Sequence, residues 1–409
     1  MIAGSGTPSP QPSPAGGRGS QADAGPGGFA PAGGRGGQVG AGPGGFAPAP
    51  AGGRGGQVGV GPAVFTPSLP RGEGGGEGSA TAVPKAAFDW QPIALLAALV
   101  ALGLPLIGSA STWLTLTVAG LAMGMIIFIV ASGLTLVFGL MDVLNFGHGV
   151  FIALGAYIAT SVFAGMSGWT GSATLWRDLV PLFAAMALAM LAAGAVGWAF
   201  ERVLVRPVYG QHLKQILVTM GGMIIGEELI KMIWGTTPIA VEMPQALRGV
   251  VTFGDSAVEK YRLLATALGA GVFVAMLYTL NRTKLGLLIR AGVQDREMVE
   301  SLGYRIRRLF VGVFVAGSAL AGLGGALWGI YQQGVVPQIG AQVNVLIFIV
   351  IIIGGLGSTT GCFIGALLVG LMANYTGFLA PKVATFSNIG LMVLILLWRP
   401  QGLYPVANR

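Results

Sequence analysis

The feature that most constrains this chain is a succession of apolar segments that begins near residue 92 and continues almost to its end. A helix that crosses the hydrocarbon core of a bilayer needs about 20 such residues. Ten candidates fall at residues 92–108, 113–139, 149–167, 179–200, 213–234, 261–281, 309–331, 343–357, 360–378 and 386–399. Several are short or interrupted by glycine. We therefore predict an all-α integral membrane protein, a polytopic bundle of about 8–10 transmembrane helices with short or broken spans.

The composition excludes the common soluble classes. Only 9% of the residues are charged and 53% are hydrophobic, whereas a soluble domain carries roughly 25% charged residues. The net charge of +8 comes from basic residues between the apolar segments, so we expect no nucleic acid partner. One cysteine, Cys362, excludes an intrachain disulfide, and two histidines, His148 and His212, leave little for a metal or catalytic site.

Residues 1–90 differ from the rest of the chain. Residues 24–40 recur as residues 41–59 with two residues inserted, and the unit is mostly glycine, proline and alanine. Such a unit cannot offset the entropy of ordering, so we predict a disordered extension followed by a membrane domain over residues 91–409. Two interpretations stay open, a tail that binds a partner and a start codon assigned too far upstream.

The basic residues predict the orientation of the bundle. Arg202, Arg206 and Lys214 flank one connection, and a cluster of basic residues occupies residues 282–308, which we call the basic loop. Since cytoplasmic loops are rich in Lys and Arg, both connections should be cytoplasmic, and the balanced residues 235–260 should lie outside. Counting spans from these anchors places both termini in the cytoplasm.

Two groups of polar residues within the apolar region are candidates for the translocation path or its gating. Asp142, Asn145, His148 and Gly149 lie between two apolar runs, where glycines could break a helix and expose backbone groups. The competing interpretation is an ordinary turn in which Asn145 and His148 cap the next helix. Glu227 lies mid-segment, four residues before a lysine, and mutual neutralisation is favoured over ligand binding there.

The basic loop carries the strongest pattern. Leu287, Arg290, Ala291 and Gln294 share one helical face, and Gly303 ends the helical pattern. This predicts one short amphipathic helix along the membrane surface. On charge alone, such a loop would contact anionic lipid.

The basic loop resembles the cytoplasmic coupling segment of ABC importer permeases, in which an Arg-Ala pair precedes a helix-ending glycine by about a dozen residues. Arg290-Ala291 and Gly303 fit that pattern. Residues 133–157, 350–361 and 398–403 are similar, in the same order, to segments of the branched-chain amino-acid permease family. The resemblance covers residues 110–405 and implies that Gly286, Arg290, Ala291, Asp295 and Gly303 couple the chain to an ATPase.

The resemblance implies a permease subunit in a bacterial inner membrane that moves branched-chain or other hydrophobic amino acids, or related small amides and acids. Its partners would be a second, homologous permease subunit, cytoplasmic ATPase subunits and an external substrate-binding protein. No Gly-x-x-x-x-Gly-Lys-Ser/Thr motif occurs in the chain. We therefore expect no enzyme activity, metal or cofactor here, with ATP and Mg²⁺ bound by the partner. The alternative is a secondary transporter or channel for small polar solutes that works alone.

Overall fold

The computed structural model describes residues 89–170 and 175–405. Residues 1–88 of the predicted disordered extension lie outside the described residues. In the described part, each of the ten predicted apolar segments coincides with a helix. The helices are α1 (Gln91–Ile107), α2 (Ala110–Met141), α3 (His148–Gly165), α4 (Ser167–Thr170), α5 (Leu175–Phe200), α6 (His212–Trp234), α7 (Lys260–Arg282), α8 (Lys284–Gln294), α9 (Arg296–Ser301), α10 (Ile306–Gln332), α11 (Ile339–Gly354), α12 (Thr359–Leu379) and α13 (Ala384–Trp398).

Within the described residues, six helical stretches are long and apolar enough to cross a membrane. They are Ala110–Met141, His148–Gly165, Leu179–Val208, Lys260–Arg282, Ile306–Gln332 and Thr359–Leu379. Three shorter apolar helices, Gln91–Ile107, Ile339–Gly354 and Phe386–Trp398, accompany them, while α6 carries charges in its second half. The prediction of an all-α, multi-pass membrane protein is confirmed.

Strands are few and short in the described residues. β1 (Ile239–Ala240) pairs antiparallel with β4 (Gly334–Val335), and β2 (Val250–Phe253) pairs antiparallel with β3 (Ser256–Glu259). Because β1 follows α6 and β4 follows α10, the C-terminal ends of these two helices lie on the same side of the bundle. We call this the β side.

Glycines set the spacing of the central helices. An added Cβ at Gly124 of α2 would lie 2.8 Å from the carbonyl oxygen of Ala366 in α12, and one at Gly149 of α3 would lie 2.8 Å from that of Gly340 in α11. Real side chains do not tolerate such distances, so the backbones pack directly against each other. α2 packs most extensively against α12, so the close approach at Gly124 lies in the main helix–helix contact of the described structure.

The two ends of the folded region meet on the side opposite the β side. Arg399, just after α13, donates from Nη1 to Asp89 Oδ2 at 2.5 Å, and the Tyr404 hydroxyl donates to the Asp89 carbonyl. The Leu403 N–H donates to the Ile353 carbonyl at the end of α11 at 2.9 Å. The chain therefore passes through the bundle an even number of times between Asp89 and Arg399. The predicted topology, with both termini on one side of the membrane, requires an even number.

Candidate functional site

The basic loop forms two helices rather than the single amphipathic helix predicted from its sequence. α8 ends at Gln294, and Asp295 takes an extended conformation with φ −147°. Its carboxylate accepts the Met298 N–H at 2.9 Å and so begins α9. The single-helix prediction was wrong because this aspartate caps a new helix more favourably than it continues the old one.

The predicted end of the helical pattern at Gly303 is confirmed. Gly303 has φ +84°, its N–H donates to the Glu300 carbonyl at 2.9 Å, and the Tyr304 N–H donates to the Val299 carbonyl at 3.3 Å. Glycine adopts this left-handed conformation without a steric cost. The chain thereby turns directly from α9 into α10.

Arg290 and Gly286 hold α8 against the end of α7. The Arg290 Nη2 atom donates to the Leu280 carbonyl and to the Asn281 side-chain oxygen, each at 2.6 Å. An added Cβ at Gly286 would lie 2.7 Å from the Leu280 Cα. A cation on the last carbonyls of a helix also complements the helix dipole. In this structure, therefore, the Arg290 guanidinium caps α7.

The basic loop carries both buried and exposed apolar side chains. Val299, Ile306 and Phe310 form a buried cluster against which Ala291 and Met141 pack. This cluster links the basic loop to α10 and to the end of α2. Other apolar residues of the basic loop are exposed, among them Leu287 in α8, Met298 in α9, and Leu302 and Tyr304 just after α9. We call these four residues the apolar platform; Leu287 is 70% exposed and Leu302 is 67% exposed.

An apolar cleft of about 780 Å³ lies behind α8 and α9, between α7 and α10. Met276, Leu288 and Leu309 are among the apolar residues that line it, and Arg305 and Arg308 also belong to its lining. α8 and α9 therefore border an unfilled space within the described structure.

The structure separates the residues predicted between α2 and α3. Asp142 is exposed at the C-terminal end of α2, with φ 54°, and its Oδ2 lies 3.7 Å from His212 Nε2. Asn145 and His148 are each only 1% exposed. The His148 Nε2 atom lies 3.2 Å from the Val130 carbonyl. The break runs from Asp142 to Gly147, and Gly149 lies inside α3, so the prediction that Gly149 helps to break the helix was wrong.

The backbone of Phe146 in this turn is bound by side chains from two other helices. Its N–H donates to Thr219 Oγ1 of α6 at 3.1 Å, and its carbonyl accepts from Asn344 Nδ2 of α11 at 3.0 Å. The side-chain nitrogen and oxygen of Asn145 have no hydrogen-bond partner among the described residues, so Asn145 does not cap α3. Thr219 and Asn344 are not among the residues predicted from the sequence, although both are polar residues in apolar segments.

Glu227 lies in the second half of α6, where it and Gly149 of α3 line the same small cavity. Its carboxylate lies 3.0 Å from Lys231 Nζ, and that of Glu228 lies 2.8 Å from the same atom. The predicted mutual neutralisation is confirmed. Within the described residues, no group of three or more His, Cys, Asp or Glu side chains could hold a metal ion.

A bundle of apolar helices, six of them long enough to cross a membrane in the described part, defines a multi-pass membrane protein. The family described as "Branched-chain amino acid transport system / permease component" matches residues 116–398, and the chain belongs to this family. This membership favours the permease interpretation over a secondary transporter or channel that works alone. No solved structure matches the chain.

Curated relatives agree with this assignment. The chain is 30% identical over 299 residues to the high-affinity branched-chain amino acid transport system permease protein BraD of Pseudomonas aeruginosa, covering 70% of this chain and 94% of BraD. It is 28% identical over 293 residues to the corresponding protein LivH of Escherichia coli K12, covering 69% and 92%. It is also 28% identical over 307 residues to LivM of that organism, covering 69% of each chain.

Proposed function

We propose that this permease is the membrane subunit of an ATP-binding-cassette importer for branched-chain or other hydrophobic amino acids. The observation that carries the proposal is the apolar platform, four exposed apolar side chains on α8, on α9 and in the turn after α9. The positive-inside rule assigns this face to the cytoplasm, where an ATPase subunit would be. Both termini would then also be cytoplasmic, in a bacterial inner membrane.

The contacts around the platform explain how a partner's motion would reach the bundle. Arg290 and Gly286 fix α8 to the end of α7, while Val299 packs with Ile306 and Phe310 of α10. Closure of an ATPase dimer on Leu287 and its neighbours would therefore displace α7 and α10 together. Rigid-body displacement of packed helices is a common basis of switching transitions.

The partner assignments follow from the family and from the sequence. The chain matches relatives named LivH and relatives named LivM, which are permease proteins of the same transport system in Escherichia coli K12. A second, homologous permease subunit is accordingly the expected membrane partner. ATP and Mg²⁺ would bind to the ATPase, since the chain has no phosphate-binding loop motif. An external binding protein would deliver the amino acid.

The proposal is tested by placing a charge on the platform. We expect Leu302→Glu to reduce retention of the ATPase subunits on the purified permease at least about tenfold, because an unpaired carboxylate buried in an apolar contact costs 1–3 kcal/mol or more. Uptake of leucine should fall with it. Retention is measured by co-purification, and uptake in membrane vesicles supplied with ATP.

Val250→Glu is the matched control, since Val250 is an exposed apolar residue on the β side. It should leave ATPase retention unchanged. Leu302→Met should also retain the ATPase. A loss of retention in Leu302→Glu would then be due to the lost apolar surface and not to substitution of residue 302 as such. Normal retention and normal uptake by Leu302→Glu would refute the proposed docking surface.

A further inference from the structure

A second cleft, of about 410 Å³, lies between α2, α10, α11 and α12. Its lining is unlike that of the apolar cleft because it contains three carboxamide side chains. The lining residues are Met123, Trp328, Tyr331, Gln332, Gln342, Val343, Leu346, Ala373 and Asn374. We call this the amide cleft.

The amide cleft lies at the β side of the bundle, opposite the apolar platform. Tyr331 and Gln332 occupy the last turn of α10, and Gln342 lies in the first turn of α11. β4, which pairs with β1, lies between these two helices. In the proposed orientation, this is the outer face, where an external binding protein would release its ligand.

Carboxamides in membrane-spanning helices are costly unless they face water or a polar partner. Asn374 uses its Nδ2 to donate to the Gly370 carbonyl at 2.9 Å and to Met123 Sδ at 3.4 Å, which leaves its Oδ1 as the atom that can accept from a ligand. Gln332 and Gln342 are both exposed. Because three carboxamides line the cleft and two of them are exposed, we infer that the cleft opens to water.

The lining suits a small zwitterion. A carboxamide offers both N–H donors for a carboxylate and an acceptor oxygen for an ammonium group. The rings of Trp328 and Tyr331 lie 5.7 Å apart at 31°, and aromatic faces also attract ammonium groups. Val343 and Leu346 provide an apolar wall for a hydrocarbon side chain.

Two further properties limit the class of ligand. The volume is within the range of small-molecule sites, about 300–1,000 Å³. The residues that line the amide cleft in the described structure include no charged side chain, so a ligand with a net charge would lose its hydration without a counter-charge.

We propose that the amide cleft is an outer binding site for a neutral, zwitterionic amino acid that enters the permease. This inference rests on the proposed function and adds the residues that receive the substrate. Gln342 and Asn374 bind the charged ends of the amino acid, and Val343 and Leu346 contact its side chain.

The first test compares uptake by the complete transporter. Gln342→Leu and Asn374→Leu should each lower leucine uptake about tenfold, because each leaves a charged group of the substrate without a hydrogen bond. Gln338→Leu is the matched control, since Gln338 is exposed in the same connection and does not line the cleft. Uptake by the two cleft variants equal to that of the control would overturn the inference. Absence of neutral amino acid uptake by the wild-type transporter would instead overturn the proposed function.

The second test measures water access and binding without transport. Cys362 is the single cysteine and is only 1% exposed, so an introduced cysteine can be labelled selectively. Gln342→Cys should react with a membrane-impermeant methanethiosulfonate reagent at least about tenfold faster than Leu397→Cys, because thiolates form in water and not in lipid. Leu397 is 83% exposed on α13.

Leucine should slow the labelling of Gln342→Cys, whereas lysine should not. These two results would support a neutral amino acid site even in a transporter that is inactive. A labelling rate equal to that of Leu397→Cys would show a lipid-facing surface, and equal rates with and without leucine would show a site that does not bind it; either result overturns the inference.

Discussion

Gly155→Ala tests whether direct backbone contact between α3 and α10 sets the geometry of the bundle. An added Cβ at Gly155 would lie 2.6 Å from the Cα and 2.7 Å from the carbonyl carbon of Gly322. Carbon atoms in favourable contact are about 3.5–4.0 Å apart, so the two helices would have to separate by about 1 Å. α10 has little room to retreat, because α5 lies behind it: a Cβ at Gly322 would lie 2.5 Å from that of Ala193.

The decrease in the free energy of unfolding follows from the van der Waals contacts that are lost when the two helices separate. The van der Waals attraction between two atoms in contact is about 0.1–0.2 kcal/mol, and a gap of 0.5–1 Å removes a quarter to a half of it. Over roughly fifty atom pairs the loss is about 3 kcal/mol. Alanine recovers about 1 kcal/mol through its higher helix propensity. We therefore expect Gly155→Ala to lower the free energy of unfolding by about 2 kcal/mol, within the usual range for overpacked cores.

The assay is reversible unfolding of the purified permease in detergent micelles, followed by circular dichroism. Gly312→Ala is the matched control, since Gly312 also lies in a helix and an added Cβ there would meet nothing within 4 Å. The control should raise the free energy of unfolding by about 0.5–1 kcal/mol. If Gly155→Ala behaved like Gly312→Ala, α3 and α10 would not be held at backbone contact.

Three further substitutions test the basic loop and the ends of the folded region. Asp295→Ala removes the acceptor of the Met298 N–H and should destabilise α9 by about 1 kcal/mol, seen as faster amide exchange there. Gly303→Val forces a β-branched residue to φ +84° and should cost about 1–2 kcal/mol, measured by unfolding in detergent. Arg399 hydrogen-bonds the Asp89 carboxylate and lowers its pKa, so its stabilising effect is present at neutral pH and is lost as the pH falls through that lowered pKa. The difference in unfolding temperature between wild type and Asp89→Asn should therefore shrink below about pH 4.

The helices were predictable from the sequence because membrane insertion depends on local composition. A span must be about 20 apolar residues long, and that requirement is satisfied or violated within one segment. The left-handed Gly303 and the pairing of Glu227 with Lys231 were predictable for the same reason. Each depends on residues only a few positions apart.

The break between α8 and α9 was missed although a local signal exists. Asp295 is followed by Glu297, and an acidic residue after a capping aspartate is typical of a helix start. Leu287 to Gln294 fit one helical face, and that spacing alone predicts a helix that continues through Asp295 to Gly303.

The remaining features could not be predicted because they depend on how distant helices pack. The Arg290 guanidinium binds the last carbonyls of α7 only because α8 folds back on that helix. The amide cleft joins Gln342 to Asn374, which lie on different helices and share no sequence motif. A polar residue in an apolar segment indicates a partner or a cavity, but only the fold shows which.

The bond between Asp89 and Arg399 has a consequence for protein engineering. Since the two ends of the folded region touch, a short peptide could join them without crossing the membrane or displacing a helix. New ends could then be opened in the β2–β3 hairpin at Gly254, which is exposed and has φ +60°. Circular permutation is tolerated where ends meet at a surface. Such a permutant would carry its termini on the β side, the same side of the bundle as the amide cleft.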